Sequence, residues 1–177
     1  MRTKIEAAFP NCVANNCIEI DNRAIIDIHD NQILNRSCIY QGAIGSLTFP
    51  YFTIKNPNLK NIHILAIDNC ILFEADGQKC DFAAFDNRVF CFVEIKRALG
   101  KPRAKRTRKR AALIQLRATL RRFIARVNFT GYKLMACTCV GHNAKVPAAP
   151  ASDLNLLVDF INQYNTELID GNEITFN

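Results

Sequence analysis

No apolar run in this 177-residue sequence approaches the length a membrane span needs. Its first residues, MRTKIEAAFPNCVANN, lack the uninterrupted apolar core of a secretory signal. A soluble, cytoplasmic protein without a membrane partner is therefore the expectation. Internal repeats are missing, as are helix-turn-helix and zinc-finger signatures. The chain has eight cysteines, yet it lacks the paired spacings of a zinc site, apart from Cys137-Thr138-Cys139 with His142 following. Cys70, Cys80, Cys91, Cys137 and Cys139 lie in or beside strand-like apolar runs, where a thiol behaves as a small hydrophobe. Buried, reduced thiols are expected there. His29, His63 and His142 are scattered and read as structural.

The most informative absence is of one charge. Residues 96–126 contain 13 Lys and Arg and neither Asp nor Glu, whereas the rest of the chain has 10 basic and 16 acidic residues. The net charge of +7 thus combines a mildly acidic body with one strongly basic segment. Binding to a phosphate backbone requires such a segment, and its affinity should fall steeply with salt. A solvated basic loop, or a docking surface for an acidic protein, is the bland alternative.

The length fits one domain with a proper core. TKIEAAF (3–9) reads as a short helix stopped by Pro10. CIEI, AIIDIHD, SCIYQGAI and SLTFPYFTI, between Cys17 and Ile54, read as short strands punctuated by Asn and Gly. IHILAID (62–68), CILFEAD (70–76), CDFAAFD (80–86) and RVFCFVEIK (88–96) follow as further strands, apolar enough to be covered on both faces. RALGKPRAKRTRK reads as a basic loop. A helix is predicted over 109–127, with Leu113, Leu116, Leu120, Phe123, Ile124 and Val127 as its apolar stripe. YKLMACTCV (132–140) is a buried strand, GHNAKVPAAPAS a linker, and DLNLLVDFINQYN a final amphipathic helix. The fold expected is α/β, a mixed central sheet flanked by helices. Residues 1–145 form the main unit, and 146–177 supply a linker and a C-terminal helix packed on it.

One cluster stands out. Charges at Glu94 and Lys96, ending the apolar run from Val89, would be costly unless paired or ligated. Two residues apart on a strand, they share a face. Folding about Asp86-Asn87 brings Asp81 opposite a residue near Val93 or Lys96, within reach of Glu94. Two carboxylates so close repel unless a cation lies between them, and hard oxygen ligands suit magnesium, with manganese as its substitute. The Ile95 carbonyl would be a further ligand. A metal there activates water and stabilises a leaving oxygen, while Lys96 offsets charge in a phosphodiester transition state. A surface-facing ion pair at a strand end is the alternative reading of Glu94 and Lys96.

Asp81, then Glu94-Ile95-Lys96, then a helix carrying Gln115, resembles the PD-(D/E)XK nuclease superfamily over roughly residues 60–140. The resemblance implies a restriction-endonuclease-like core, with the aspartate on the second core strand and E-x-K on the third. It implies Asp81 and Glu94 as magnesium ligands, Lys96 as the catalytic lysine and Gln115 as a supporting residue. Glu6, or less naturally Glu19, would supply the acid that an upstream helix usually offers. Cys80 replaces the proline of the family's name. Asp68 and Glu74 read as peripheral ligands or turn acids. Arg97, Lys101, Arg103, Lys105, Arg106, Arg108, Lys109, Arg110, Arg117 and Arg121 would grip nucleic acid, with DNA expected ahead of RNA. A nuclease of this kind fits an effector of bacterial defence or restriction. It fits a homodimer, since cutting both strands usually takes two sites, or a protein partner in a larger complex. A catalytically inactive module, retaining the fold for nucleic-acid binding or assembly, is the rival.

Overall fold

The structure, a computed structural model, describes residues 1–42, 51–96, 102–141 and 151–177, the side chains of 102–104 and 151–157 excepted. Two helices, α1 (Arg2–Ala8) and α2 (Asn11–Ala14), precede β1 (Ile18–Asp21). Then come β2 (Ile25–Asn31), β3 (Arg36–Ile39), β4 (Tyr51–Lys55), β5 (Ile62–Ala66), β6 (Phe82–Phe85) and β7 (Val89–Lys96). The long helix α3 (Pro102–Ile124) leads to β8 (Lys133–Val140), α4 (Ala151–Tyr164), β9 (Thr166–Asp170) and β10 (Glu173–Thr175).

The strands form two sheets. The larger has the order β1-β5-β6-β7-β8-β9: β1, β5, β6 and β7 pair antiparallel, whereas β7, β8 and β9 run parallel. The smaller has the order β10-β4-β2-β3. Alternation on β6 and β7 sorts their side chains between two cores. Phe85, Phe90 and Phe92 face Leu113, Leu116, Leu120 and Phe123 of α3, together with Ile5 and Phe160. Phe82, Cys91, Val93 and Ile95 face Ile26, Ile28, Phe52 and Ile54 of the smaller sheet. The nearly unbroken apolar strands of the sequence are thus covered on both faces. Only one cover is helical, however: the expected helix on the second face is replaced by a sheet.

Several elements differ from the sequence reading. CILFEAD is no strand; residues 67–72 make a turn, and Glu74–Asp76 is one turn of 3₁₀ helix. The basic loop is largely helix, because Arg, Lys and Ala are good helix formers and Pro is accommodated at a first helical position. After residue 165 no strand was expected, yet β9 adds an edge to the larger sheet and β10 to the smaller. Cys70 is not a free thiol but is bonded to Cys17. Antiparallel pairing of β1 with β5 brings these cysteines together across 53 residues, a separation at which spacing carries no signal. Cys80, Cys91, Cys137 and Cys139 are buried and free. No helix among the described residues is long and apolar enough to cross a membrane.

Candidate active site

The β6–β7 hairpin turns at Asp86, whose Oδ1 accepts the N–H groups of Arg88 and Val89. That turn sets Phe82 opposite Val93, and the same register carried one step further sets Asp81 opposite Glu94. Glu94 Oε2 accepts the Asp81 N–H at 3.1 Å, and Asp81 Oδ2 accepts the Ile95 N–H at 2.5 Å. Lys96 forms an ion pair with Glu94 Oε1. The structure therefore brings Asp81, Glu94 and Lys96 together at the C-terminal end of β7. Because the Ile95 N–H points toward Asp81, its carbonyl leaves the strand on the same side.

Burial dominates the electrostatics. Glu94 is fully buried and Asp81 nearly so. Loss of solvent, then the charge of Glu94, pushes the Asp81 carboxyl well above the usual range. Burial likewise raises Glu94, to about 7, against the opposing pull of Lys96. Burial works to lower the Lys96 ammonium, but Glu94 and Asp81 hold it above the ordinary lysine value. Lys96 is the partner of Glu94 Oε1, which no other donor among the described residues serves.

Asp30 was missed in the sequence. Its charge raises both Asp81 and Glu94 and helps hold Lys96 protonated. It follows the core-facing Ile26 and Ile28 at alternate positions of β2, at the end where Cys139 Sγ meets the Tyr51 carbonyl at 3.7 Å. Periodicity shows such a residue only once the second sheet is known to lie over the first. Ser37 Oγ donates to Asp30 Oδ1 at 2.8 Å.

Gln115 reaches the backbone just before Asp81. Its Nε2 donates to the Lys79 carbonyl at 2.9 Å. One turn on, Thr119 Oγ1 accepts the Cys80 N–H at 2.8 Å and donates to the Gln115 carbonyl. Together they tie α3 to the two residues before Asp81 and so hold that strand end. Sequence reasoning assigned Thr119 no role. Glu6 is paired with Arg2 at 2.7 Å on α1. Glu19 lies on β1, raised chiefly by burial, with its charged neighbours being Arg36, Asp21 and His29. Asp68 pairs with Lys79 at 3.2 Å, and Glu74 is exposed on the 3₁₀ turn. Cys137 and Cys139 pack between the sheets, and His142 lies outside the described residues.

The basic residues divide into two sets. Lys105, Arg106, Arg108, Arg110 and Arg121 are exposed, with no ion-pair partner among the described residues. Lys109 is instead paired with Asp170 at 3.0 Å, and Arg117 with Asp159 at 3.0 Å while lying over the Phe160 ring. Both therefore hold α3 to neighbouring elements. Arg97, Lys101 and the side chain of Arg103 lie outside what the structure describes. Asp170 also accepts a bond from Thr138, which is paired in register with Glu94. The ion pair of Lys109 thereby fixes the first turns of α3 over the edge that carries the carboxylates.

No group of three or more His, Cys, Asp or Glu among the described residues is gathered closely enough to hold a metal. Two carboxylates and a carbonyl are what the protein itself offers. That meagre donor set suits magnesium, which keeps several of its waters and takes one or two carboxylates. No protein-family model, curated protein or solved structure matches the chain.

Proposed function

We propose that this protein is a magnesium-dependent nuclease of the PD-(D/E)XK type, hydrolysing phosphodiester bonds in nucleic acid. The observation that carries the reading is the juxtaposition of Asp81 and Glu94 on adjacent strands, buried together and served by Lys96. The order of elements also supports it. An antiparallel meander β5-β6-β7 is followed by α3 and the parallel strand β8. The aspartate precedes the second strand of that meander, and E-x-K ends the third.

Asp81 and Glu94 would hold the ion, with the Ile95 carbonyl as a third donor. Magnesium bound there supplies Lewis acidity, lowering the pKa of a bound water and stabilising a leaving oxygen. Lys96 holds its proton and neutralises charge that builds on the phosphorus oxygens. Gln115 and Thr119 position the backbone that delivers Asp81. The exposed cations of α3 bind phosphates without reading bases.

The test is a cleavage assay on DNA and RNA, single- and double-stranded, with magnesium, manganese or EDTA. Cleavage by the parent that EDTA abolishes, and that Glu94→Ala and Lys96→Ala lack, is the expected result. Equal behaviour of all three proteins removes the assignment.

A second reading draws on the same cluster. Glu94 and Asp81 each accept a backbone N–H from the other's strand, and Lys96 compensates their charge. Such a group can close a strand end without a metal, leaving a nucleic-acid-binding module with no catalysis. That module would bind with steep salt dependence and be indifferent to magnesium.

A further inference from the structure

Six of the eight cysteines are free and buried, and burial raises each of their thiols. The bonded pair, Cys17 and Cys70, has different surroundings. Arg36 Nη1 donates to Cys70 Sγ at 3.0 Å and to the Asn15 carbonyl at the same distance. Among the described residues, no other cysteine sulfur accepts a hydrogen bond from a cation. A guanidinium beside a sulfur favours its thiolate, and a disulfide opens fastest when the departing sulfur is the better thiolate. The contact with Arg36 makes Cys70 that departing sulfur.

The bond also leads to Asp81. Cys70 belongs to the turn 67–72, whose Ile67 and Asp68 N–H groups both donate to the Asp81 carbonyl, at 2.9 and 3.2 Å. On the other side, the Cys17 carbonyl accepts the Ala66 N–H, and Asn15 Nδ2 donates to the Cys70 carbonyl at 2.8 Å. The disulfide thus fastens to β1 the segment that holds the Asp81 backbone. Both sulfurs are buried, Cys17 being 2% exposed and Cys70 not at all. Cys70 Sγ nevertheless lies 3.8 Å from the carbonyl of Asn15, the exposed residue that ends the four-residue helix α2. Local opening of so short an element admits a reductant while the sheets stay folded.

Resting on the nuclease reading for what is controlled, we propose that Cys17 and Cys70 are a reversible redox couple, whose reduction by a dithiol loosens the turn 67–72 and with it the hold on Asp81. One thiolate of the reductant attacks Cys17 Sγ, and the electron pair of the S–S bond leaves on Cys70 Sγ beside Arg36. The reductant's second thiolate then attacks its own first sulfur, releasing Cys17 and closing a cyclic disulfide. Two electrons pass to the protein. Of the two protons lost by the reductant, Cys17 takes one, and water keeps the other while Cys70 stays a thiolate.

The test starts from oxidised protein placed in dithiothreitol. Alkylation and peptide masses report the state of the two cysteines, and residue-level hydrogen exchange follows the Ile67 and Asp68 amides. The bond is expected to open in the folded protein and to close again under oxidised glutathione. On reduction the two amides should exchange about ten-fold faster, at a rate that low denaturant does not change, the mark of a local opening. Cleavage in magnesium should fall in step. Arg36→Met should slow the opening about ten-fold, and Cys17→Ser should show the fast exchange in either buffer. A bond that opens only as the whole protein unfolds overturns the couple and leaves the nuclease reading standing. So do amides that stay slow in the reduced parent or in folded Cys17→Ser, and so does folded Arg36→Met reduced as fast as the parent. Amides that follow the redox state, with no cleavage in either state, support the couple and overturn the nuclease reading alone.

Discussion

Glu94 concentrates the physics of this protein in one carboxyl. Raised by burial from 4.5 to about 7, it binds a proton in the folded chain over a range where the unfolded chain has released it. Stability is then greatest below the unfolded value and is lost as pH climbs through the folded one. The melting temperature of the metal-free protein should therefore decline between about pH 4.5 and 7, and Glu94→Gln should flatten that slope. Thermal melts in EDTA across this range check it. Asp81 acts with the same sign. Lys96 is the complementary case. Replacing it by Met leaves two buried acids without their cation, so the folded protein should hold its protons to still higher pH. Cleavage should fall by roughly 10²- to 10³-fold, the usual loss when one stabiliser of transition-state charge is removed, as measured by single-turnover rates.

At the scale of elements, α3 does two different jobs, and substitutions should separate them. Lys105, Arg106, Arg108 and Arg110 are free in solvent. Changing each to Ala should weaken binding across all sequences and reduce the salt slope by about one per residue, with melting temperature unchanged. Titrations at several salt concentrations check this. Thr119→Val should do the reverse. It strips the buried Cys80 N–H of its acceptor and costs about 1–3 kcal/mol in denaturant unfolding, with no change in the salt slope. The sequence showed the cations behind the first plainly, as a run without acids. It concealed the second, because a threonine among Ala, Gln and Leu on a helix carries no mark of what it will touch. Likewise the Asp81–Glu94 pairing was readable from one hairpin, since both residues belong to adjacent strands in the chain. Asp30 was not, because it arrives from another sheet through long-range packing. The strands β9 and β10 were obscured by the acids Glu167, Asp170 and Glu173, three apart and so out of step with strand alternation, and by their brevity, three to five residues each.

For the molecule as a whole, the two sheets are interlocked by the chain's later part. Residues 166–175 complete one edge of each sheet, and Asp170 within them anchors both Thr138 and Lys109. A chain ending before Thr166 should lose its cooperative unfolding transition, which calorimetry would show as a broad, low-enthalpy melt. The bond between Cys17 and Cys70 closes a loop of 53 residues that includes most of the smaller sheet. Breaking it should cost about 2–4 kcal/mol, measurable as a lower denaturant midpoint in a reducing buffer.

The placement of β9 and β10 also bears on how the protein comes into being. A ribosome delivers Asp81, Glu94 and the cations of α3 well before residues 166–175 emerge, and β10 must then find β4 across more than a hundred residues of intervening chain. Until it does, neither sheet has its full set of strands and Lys109 has no Asp170 to hold α3 in place. A nascent polypeptide of this design carries the buried carboxylates before the strands that brace their surroundings have emerged, and the cluster gains its full support only once β9 and β10 have joined their sheets.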